Sequence, residues 1–175
     1  MQKEITNIED QLLVMNAQDG NKKAMEAIVV RWQKRLWKYA YSMTSDRQAS
    51  WDITQQTWLG VIKGIGKLND PAKFKPWIYR ITTNKAVNWI KKNRTIKEIP
   101  VDSINKCHES KDNTGIREIL RKIDIKKQTV INLFYFEQLN ISEISTVLRI
   151  PQGTVKSRLN SARKELKLIL EKEDI

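Results

Sequence analysis

The stretch from Leu139 to Leu168 predicts two helices joined by a short turn, and this feature most limits how the chain can fold. Apolar residues of the first helix share one face, namely Ile144, Val147 and Leu148. Ser142 is a suitable N-cap, because its hydroxyl can accept a hydrogen bond from an amide of the first turn. The run from Arg149 to Gly153 breaks this helix, and Pro151 fits the first turn of the next one because it lacks the donor that would be unpaired there.

The second helix combines an apolar face with a basic, hydroxyl-rich one. Its inward residues recur at helical spacing, namely Val155, Leu159, Ala162, Leu166 and either Ile169 or Leu170. A short helix, a tight turn and a basic second helix are typical of a helix-turn-helix, whose second helix enters the major groove of DNA. The side chains that can donate to base edges and phosphates are Thr154, Lys156, Ser157, Arg158 and Ser161. The pattern also fits an ordinary helical hairpin with a solvated basic face.

The charge of the chain favours a polyanionic partner. Its net charge is +12 and its isoelectric point is near 9.8. This balance suits DNA or RNA, although anionic membranes and ribosomes also attract basic proteins. No apolar run is long enough to span a bilayer, and the charged N-terminus is unlike a signal peptide. We therefore expect a soluble, cytoplasmic protein without membrane insertion.

The sequence carries no recognisable catalytic motif. It has no glycine-rich phosphate loop, no nucleophile elbow and no HExxH pair. Cys107 is the single cysteine and His108 the single histidine, so a conventional zinc site would lack ligands. We interpret both as loop residues and expect a protein that is not an enzyme and that needs no cofactor and no metal.

The whole chain is predicted to be all-α, because helical periodicity recurs without sustained strand alternation. We expect two small helical domains, at residues 1–95 and 114–175, on either side of a flexible linker at 96–113. The predicted linker loses periodicity and collects polar residues. Just before the helix-turn-helix, the aromatic run from Phe134 to Phe136 is expected to pack beneath it.

Three helices are predicted in the N-terminal half before residue 66. The first has a cap at Thr6 or Asn7 and ends near Gln18, before the helix stop at Gly20. The second covers about Lys22 to Thr44. The third begins with a capping box at residues 45–48, ends near Ile65, and turns inward Ala49, Ile53, Thr57, Val61 and Ile62.

Two tryptophans of the third helix, Trp51 and Trp58, fall on a face next to the inward one, together with Gln55. Burial is the simpler explanation for at least one of them. A mixed apolar and polar stripe would instead suit a docking site for a partner helix.

The segment from Pro71 to Lys97 is basic without interruption by Asp or Glu. Aromatic residues alternate with its cations, namely Phe74, Trp77, Tyr79 and Trp89. Cations that follow phosphates and rings that hold unstacked bases are what single-stranded nucleic acid requires. We expect Trp77 and Ile81 to be structural and the opposite face of the helix to contact DNA.

Three stretches of the sequence resemble bacterial RNA polymerase sigma factors, in particular the small extracytoplasmic-function group. The run IPQGTVKSRLNSARKEL resembles the C-terminal domain that reads the −35 promoter element. The run DITQQTWLGVIKGI is similar to the segment that docks on the clamp helices of RNA polymerase. The run FKPWIYRITTNKAVNWIKKNR is similar to the adjoining segment that melts and reads the −10 element. The resemblance implies core RNA polymerase and promoter DNA as partners, and an anti-sigma factor is usual for the family.

The resemblance also implies roles for particular residues. Polymerase contacts would fall on Asp52, Gln55, Gln56 and Trp58. The loop from Leu68 to Lys75 would hold a flipped-out base of the non-template strand. The −10 contacts would include Asn69, Phe74, Lys75, Arg80, Asn84, Lys85, Asn88, Lys91 and Lys92. The chain departs from many relatives at Gln56, where they carry an acidic residue, and at Asn69-Asp70-Pro71, which leaves the identity of the captured base open.

Alternative functions remain at this stage. A helix-turn-helix regulator could bind duplex DNA without replacing a sigma factor, but nothing in the N-terminal half resembles a ligand pocket. An enzyme acting on nucleic acid would need a carboxylate cluster or a nucleophile, which the basic segment lacks. A basic RNA-binding protein would bind without sequence preference. We expect a sigma factor that directs promoter recognition and transcription initiation.

Overall fold

The computed structural model describes residues 2–96, 119–120 and 122–173, with side chains for 8–93, 119–120 and 122–172, and all regular structure in these residues is helical. The predicted all-α class is confirmed. Contacts group the chain into two compact units, Met1–Trp89 and Ile90–Ile175. The predicted domain boundaries stay a prediction. The predicted linker at 96–113 lies outside the described residues except for residue 96, and Cys107 and His108 lie wholly outside them.

The first unit is built from four helices and two short 3₁₀ turns. The helices are α1 (Gln2–Gln18), α2 (Lys22–Thr44), α3 (Arg47–Gly64) and α4 (Phe74–Ile96), and the division between the two units falls inside α4. The 3₁₀ turns, Ile65–Lys67 and Pro71–Lys73, connect α3 to α4. The bounds predicted for the second helix are confirmed. The predicted cap at Thr6 or Asn7 is wrong, because both residues lie inside α1.

Aromatic side chains fill the core of the first unit. The ring of Trp32 meets Phe74 and Tyr79 edge to face, with ring centroids 5.7 and 6.1 Å apart. Tyr39 is also buried, and its hydroxyl lies 2.8 Å from the hydroxyl of Thr83. This hydrogen bond satisfies both polar groups between α2 and α4, so their burial is not penalised.

The link between α2 and α3 differs in detail from the predicted capping box at residues 45–48. Ser45 has a left-handed backbone, with φ at 55°, and ends α2. Asp46 caps α3, because its side chain accepts a hydrogen bond from the amide of Ala49 at 2.8 Å. The cap is therefore one residue later than predicted, since Ser45 already serves as the end of the preceding helix.

A half-buried ionic cluster joins α1 to α2. Arg31 pairs with Glu9 and lies 3.2 Å from Asp10, and the indole N–H of Trp32 donates to Asp10 at 3.4 Å. Burial raises the pKa of Asp10, and the attraction of Arg31 opposes that rise. The hydrogen bond from Arg31 to Glu9 raises the pKa of the guanidinium. The cluster fixes the first half of α1 against α2.

The second unit contains α5 (Ile125–Ile131), a π turn (Asn132–Phe136), α6 (Ile141–Leu148) and α7 (Gln152–Glu173). Both α5 and α6 pack on α7. The buried core includes Val130, Leu133, Ile144, Val147, Val155, Leu159 and Ala162. An ion pair between Lys127 and Glu165, at 2.7 Å, adds to the contact of α5 with α7.

The aromatic run and the end of α7 lie at the edge of this core. Phe134 is half-buried, but Tyr135 and Phe136 are exposed, so only part of the run packs against the helix-turn-helix as predicted. Arg163 of α7 covers the run: its Nε donates to the Tyr135 hydroxyl at 2.7 Å, and its guanidinium lies 5.6 Å from the centre of the Phe134 ring. Of the two alternatives predicted for the last inward position, Ile169 is half-buried and Leu170 is exposed.

Candidate nucleic-acid and protein interfaces

The turn between α6 and α7 has the connections of a helix-turn-helix. Asn140 caps α6 in a reciprocal capping box with Glu143, so the predicted N-cap at Ser142 is wrong. Arg149 ends α6 with a left-handed backbone, with φ at 53°. The hydroxyl of Ser145 donates to the carbonyl of Ile150 at 2.6 Å, which holds the turn against α6. The start of α7 is therefore presented by a rigid support.

The predicted −35 residues lie on the accessible part of α7. Lys156 and Ser157 are exposed, whereas Thr154, Arg158 and Ser161 are half-buried at one edge of that surface. Val155, Leu159 and Ala162 form the buried face opposite. Asn160 was not among the predicted contacts, although it is exposed one turn after Lys156 and Ser157 and on the same face of the helix. Its helical spacing from Lys156 was the signal that could have identified it.

A cavity of about 480 Å³ lies where the two 3₁₀ turns meet α4. Its lining mixes cations, an amide, a carboxylate and an indole, from Gly64, Lys67, Leu68, Asn69, Asp70, Lys73 and Trp77. Four of these lining residues, Leu68, Asn69, Asp70 and Lys73, belong to the loop from Leu68 to Lys75 that was predicted to hold a base. An aromatic wall beside polar side chains is what a binding site for an unstacked base requires.

The end of the loop near α4 is held by Asp70. Its carboxylate accepts a hydrogen bond from the amide of Ala72 at 3.0 Å and lies 3.5 Å from the ammonium of Lys73. Pro71 starts the second 3₁₀ turn directly after this cap. Asn69, the residue before Asp70, is exposed at the cavity.

One face of α4 leads away from this cavity. Trp77, Ile81, Asn84 and Asn88 follow one another at helical spacing on the side opposite the buried Tyr79 and Ala86. Asn84 and Asn88 are exposed, while Trp77 and Ile81 are half-buried. Trp77 and Ile81 therefore share a face with Asn84 and Asn88, so the prediction that DNA contacts lie on the face opposite Trp77 and Ile81 is wrong for these two asparagines. Their contact with DNA stays a prediction.

The remaining −10 candidates divide into accessible and buried ones. Lys75, Arg80 and Lys85 are half-buried, and Lys91 and Lys92 are exposed further along α4. Phe74 is only 2% exposed and packs edge to face on Trp32. The structure therefore assigns Phe74 to the core of the first unit, which corrects its predicted place in the DNA interface.

The predicted polymerase residues lie on α3, and one of them is misplaced. Asp52, Gln55 and Gln56 are exposed on a single face. Trp58 is only 8% exposed, so it belongs to the core and is not available to a partner. The other tryptophan of the pair, Trp51, is 41% exposed.

Two aliphatic residues extend the exposed face of α3 that carries Asp52, Gln55 and Gln56. Leu59 is 58% exposed and Ile62, predicted to be buried, is 59% exposed. The prediction for Ile62 is wrong because Val61 already occupies the inward position of that turn. Together these five residues form a mixed face, which is the composition expected of a helix-docking surface. The sequence signal that could have placed Leu59 on this face is its helical spacing from Gln55 and Gln56.

Metal-ion clusters and membrane-spanning helices are both absent from the described part of the chain. It contains no cluster of three or more His, Cys, Asp or Glu side chains that could hold a metal ion. None of its helices is both long and apolar enough to cross a membrane.

The chain is similar to two described families and to several known proteins, over both units. Residues 28–96 match the family described as Sigma-70 region 2, and residues 114–166 match Sigma-70, region 4. The sequence is 26% identical to the RNA polymerase sigma-H factor of Pseudomonas aeruginosa, over 93% of this chain and 94% of that protein. It is 27% identical to the ECF RNA polymerase sigma factor SigW of Bacillus subtilis, over 88% of this chain and 92% of that protein.

A solved structure resembles the fold. It is the sigma factor RpoE in complex with the anti-sigma factor NepR from Bartonella quintana, with a TM-score of 0.73 and 18% identity. The match covers 85% of this chain and 98% of that one.

Proposed function

The chain belongs to the extracytoplasmic-function group of the sigma-70 family, and we propose that its two units recognise different parts of a promoter. As a sigma factor it gives RNA polymerase its promoter recognition and directs the initiation of transcription. One observation supports this assignment of different promoter elements to the two units. The first unit has a cavity lined by polar residues and Trp77, and the second has a helix-turn-helix whose first helix is capped.

Recognition of the −35 element falls to the start of α7. Ser157, Asn160 and Lys156 are exposed there, and Thr154 and Arg158 border them. Arginine donates to guanine, while asparagine pairs with adenine, so Arg158 and Asn160 read base edges in the major groove. The amides of the first turn of α7 and its lysines contact phosphates and set the position of the helix on the duplex.

Recognition and opening of the −10 element fall to the cavity and to α4. A base that leaves the duplex loses stacking, at a cost of a few kcal/mol, and regains contacts in a protein pocket. Trp77 supplies an aromatic wall for that base and Asn69 supplies an amide for its edge. Asn84 and Asn88, with Arg80 and the lysines of α4, then hold the neighbouring strand.

Core polymerase docks on the mixed face of α3. The polar residues Asp52, Gln55 and Gln56 border the exposed aliphatic pair Leu59 and Ile62. A stripe of this kind suits packing against a helical surface, in which the apolar side chains bury area and the polar ones fix the register. Only Gly64 of α3 lines the cavity, whose other lining residues lie in the loop after α3 and on α4, so the face leaves the DNA surface accessible.

The protein performs no covalent chemistry and acts in the cytoplasm, where its polymerase is found. We also propose an anti-sigma factor as a partner, since RpoE of Bartonella quintana was solved with one. The exposed apolar stripe of α1, formed by Ile8, Leu12 and Met15, offers one surface for such a protein. Alanine at all three positions is expected to weaken that complex while promoter selection by the polymerase is unchanged.

The experiment that tests the proposed function is run-off transcription with purified core RNA polymerase, with and without the protein, on promoters from its host. Discrete start sites that depend on the protein, with shared sequences upstream, support the proposal. If the protein binds DNA but the polymerase initiates at no new site, the alternative of a duplex-binding regulator replaces it.

A further inference from the structure

The loop that borders the base cavity is held from behind by a side chain of α1. The amide nitrogen of Gln18 donates to the carbonyl of Ile65 at 2.9 Å and to the carbonyl of Leu68 at 2.7 Å. Both hydrogens of this amide are thereby used, and each bond has good length. Gln18 itself does not line the cavity.

Gln18 is a rigid donor because of its position. It is the last residue of α1, and Gly20, two residues later and with φ at 85°, ends the helix. The amides of Asp19 and Asn21 donate back to the carbonyls of Met15 and Asn16, which fixes this helix end. α1 also packs against both 3₁₀ turns. The side chain therefore starts from a fixed backbone next to the loop.

The two carbonyls that Gln18 holds define the first part of the loop. The Ile65 carbonyl also accepts the amide of Leu68 at 3.1 Å, so the Gln18 amide closes a second link across the same turn. Leu68 lines the cavity and directly precedes Asn69. Asp70 anchors the other side of Asn69 through the amide of Ala72. The Asn69 side chain thus projects from a backbone that is fixed on both sides.

We propose that Gln18 is a positioning residue for base selection: by holding the Ile65 and Leu68 carbonyls it keeps Asn69 in place at the cavity. This inference rests on the proposed capture of a −10 base by that cavity. A preorganised site discriminates between bases because its donors need not be ordered during binding. Without Gln18 the loop samples other conformations, and the discrimination falls.

The test measures base preference in the complete holoenzyme. Core RNA polymerase is assembled with the full chain or a variant, and run-off transcription is measured on promoters that carry each of the four bases at each −10 position. Gln18→Met keeps a side chain of similar length but has no donors, and it is expected to lower the preference for the best base by about fivefold. Gln18→Lys restores donors at a helix end that favours a cation, and it is expected to recover most of the preference.

Two further variants separate the possible outcomes. Gln11→Met makes the same change seven residues earlier on α1, at a residue without the bonds of Gln18 to the Ile65 and Leu68 carbonyls, and it is expected to leave the preference unchanged. Asn69→Ala tests the cavity itself: if it alters no base preference, the proposed capture is wrong. If Asn69→Ala removes the preference but Gln18→Met does not, only the positioning role is wrong. If Gln18→Met lowers transcription equally on all promoters and lowers the melting temperature of the protein, the positioning role is also wrong, because that result indicates a purely structural residue.

Discussion

The indole of Trp77 lies so close to the backbone of Gly64 that a Cβ atom at residue 64 would be 3.0 Å from Cζ2 of the ring. Both residues line the base cavity, one at the end of α3 and the other on α4. The absence of a side chain at residue 64 therefore sets how deeply the aromatic wall is seated. The shape of the cavity depends on this contact.

Gly64→Ala is expected to displace the Trp77 ring by a few tenths of an ångström and to lower promoter opening more than it lowers stability. Alanine favours the helix end by up to about 1 kcal/mol, which offsets part of the steric cost. Permanganate footprinting of the melted −10 region measures opening, and urea unfolding measures stability. Gly66→Ala is the control, since a Cβ there would have no neighbour within 4 Å. Equal opening by both variants would contradict the role of the contact.

Leu59→Ala and Trp58→Ala are expected to fail in different ways, although the two residues are adjacent. Leu59 is exposed on the proposed polymerase face, so its truncation weakens binding to core polymerase and leaves the free energy of unfolding nearly unchanged. Trp58 is buried, so Trp58→Ala costs about 3–5 kcal/mol of stability. Affinity for core polymerase and urea unfolding separate the two effects. A stable Trp58→Ala protein with weak polymerase binding would return Trp58 to the interface.

The indole nitrogen of Trp58 predicts a difference between Trp58→Phe and Trp58→Ala. Within the described residues the buried Nε1 of Trp58 has no hydrogen-bond partner. Trp58→Phe removes this unpaired donor while it keeps an aromatic ring, so its loss of stability is expected to be much smaller than that of Trp58→Ala.

Helical periodicity identified the all-α class and the extent of the second helix, because each depends on many residues at once. It did not identify which member of the pairs Trp51 and Trp58, or Val61 and Ile62, is buried. Val61 and Ile62 differ by a rotation of the helix, whereas Trp51 and Trp58 share a face and differ in position along the helix, and the neighbouring elements decide both. The positions of caps were also missed at residues 45–48, because adjacent polar residues compete for the same role.

Asn140→Ala is expected to destabilise the second unit by about 1 kcal/mol, because it removes the cap of α6 and frees Glu143 from its reciprocal bond. Ser142→Ala is the matched control, since Ser142 lies inside the first turn and is not the cap. Urea unfolding of the two variants measures the difference. A larger loss in Ser142→Ala would mean that the cap is at the residue predicted from the sequence.

The stability of the first unit is expected to depend on pH through Asp10. Burial raises the pKa of Asp10 in the folded protein above its usual 3.8, so the folded state holds a proton more tightly than the unfolded chain. Stability from this residue therefore falls as the pH rises from 3.8 through the raised pKa, where the buried carboxyl must ionise. Asp10→Asn should lose this dependence. The check is urea unfolding of both proteins at about pH 4.5 and about pH 7. If the difference in stability between the two proteins is the same at both pH values, the prediction is wrong.

Lys156→Ala is expected to weaken binding of the holoenzyme to −35 duplex DNA and to reduce its dependence on salt. Lys156 is exposed on α7, and each cation that neutralises a phosphate releases counterions from the duplex. The slope of log affinity against log salt concentration should fall in magnitude by about one, with a similar loss on all sequences. Lys172→Ala, at the far end of the same helix, is the matched control and should leave the slope unchanged. If Lys156→Ala instead alters the preferred base at one −35 position with no change of slope, Lys156 reads a base and does not contact a phosphate.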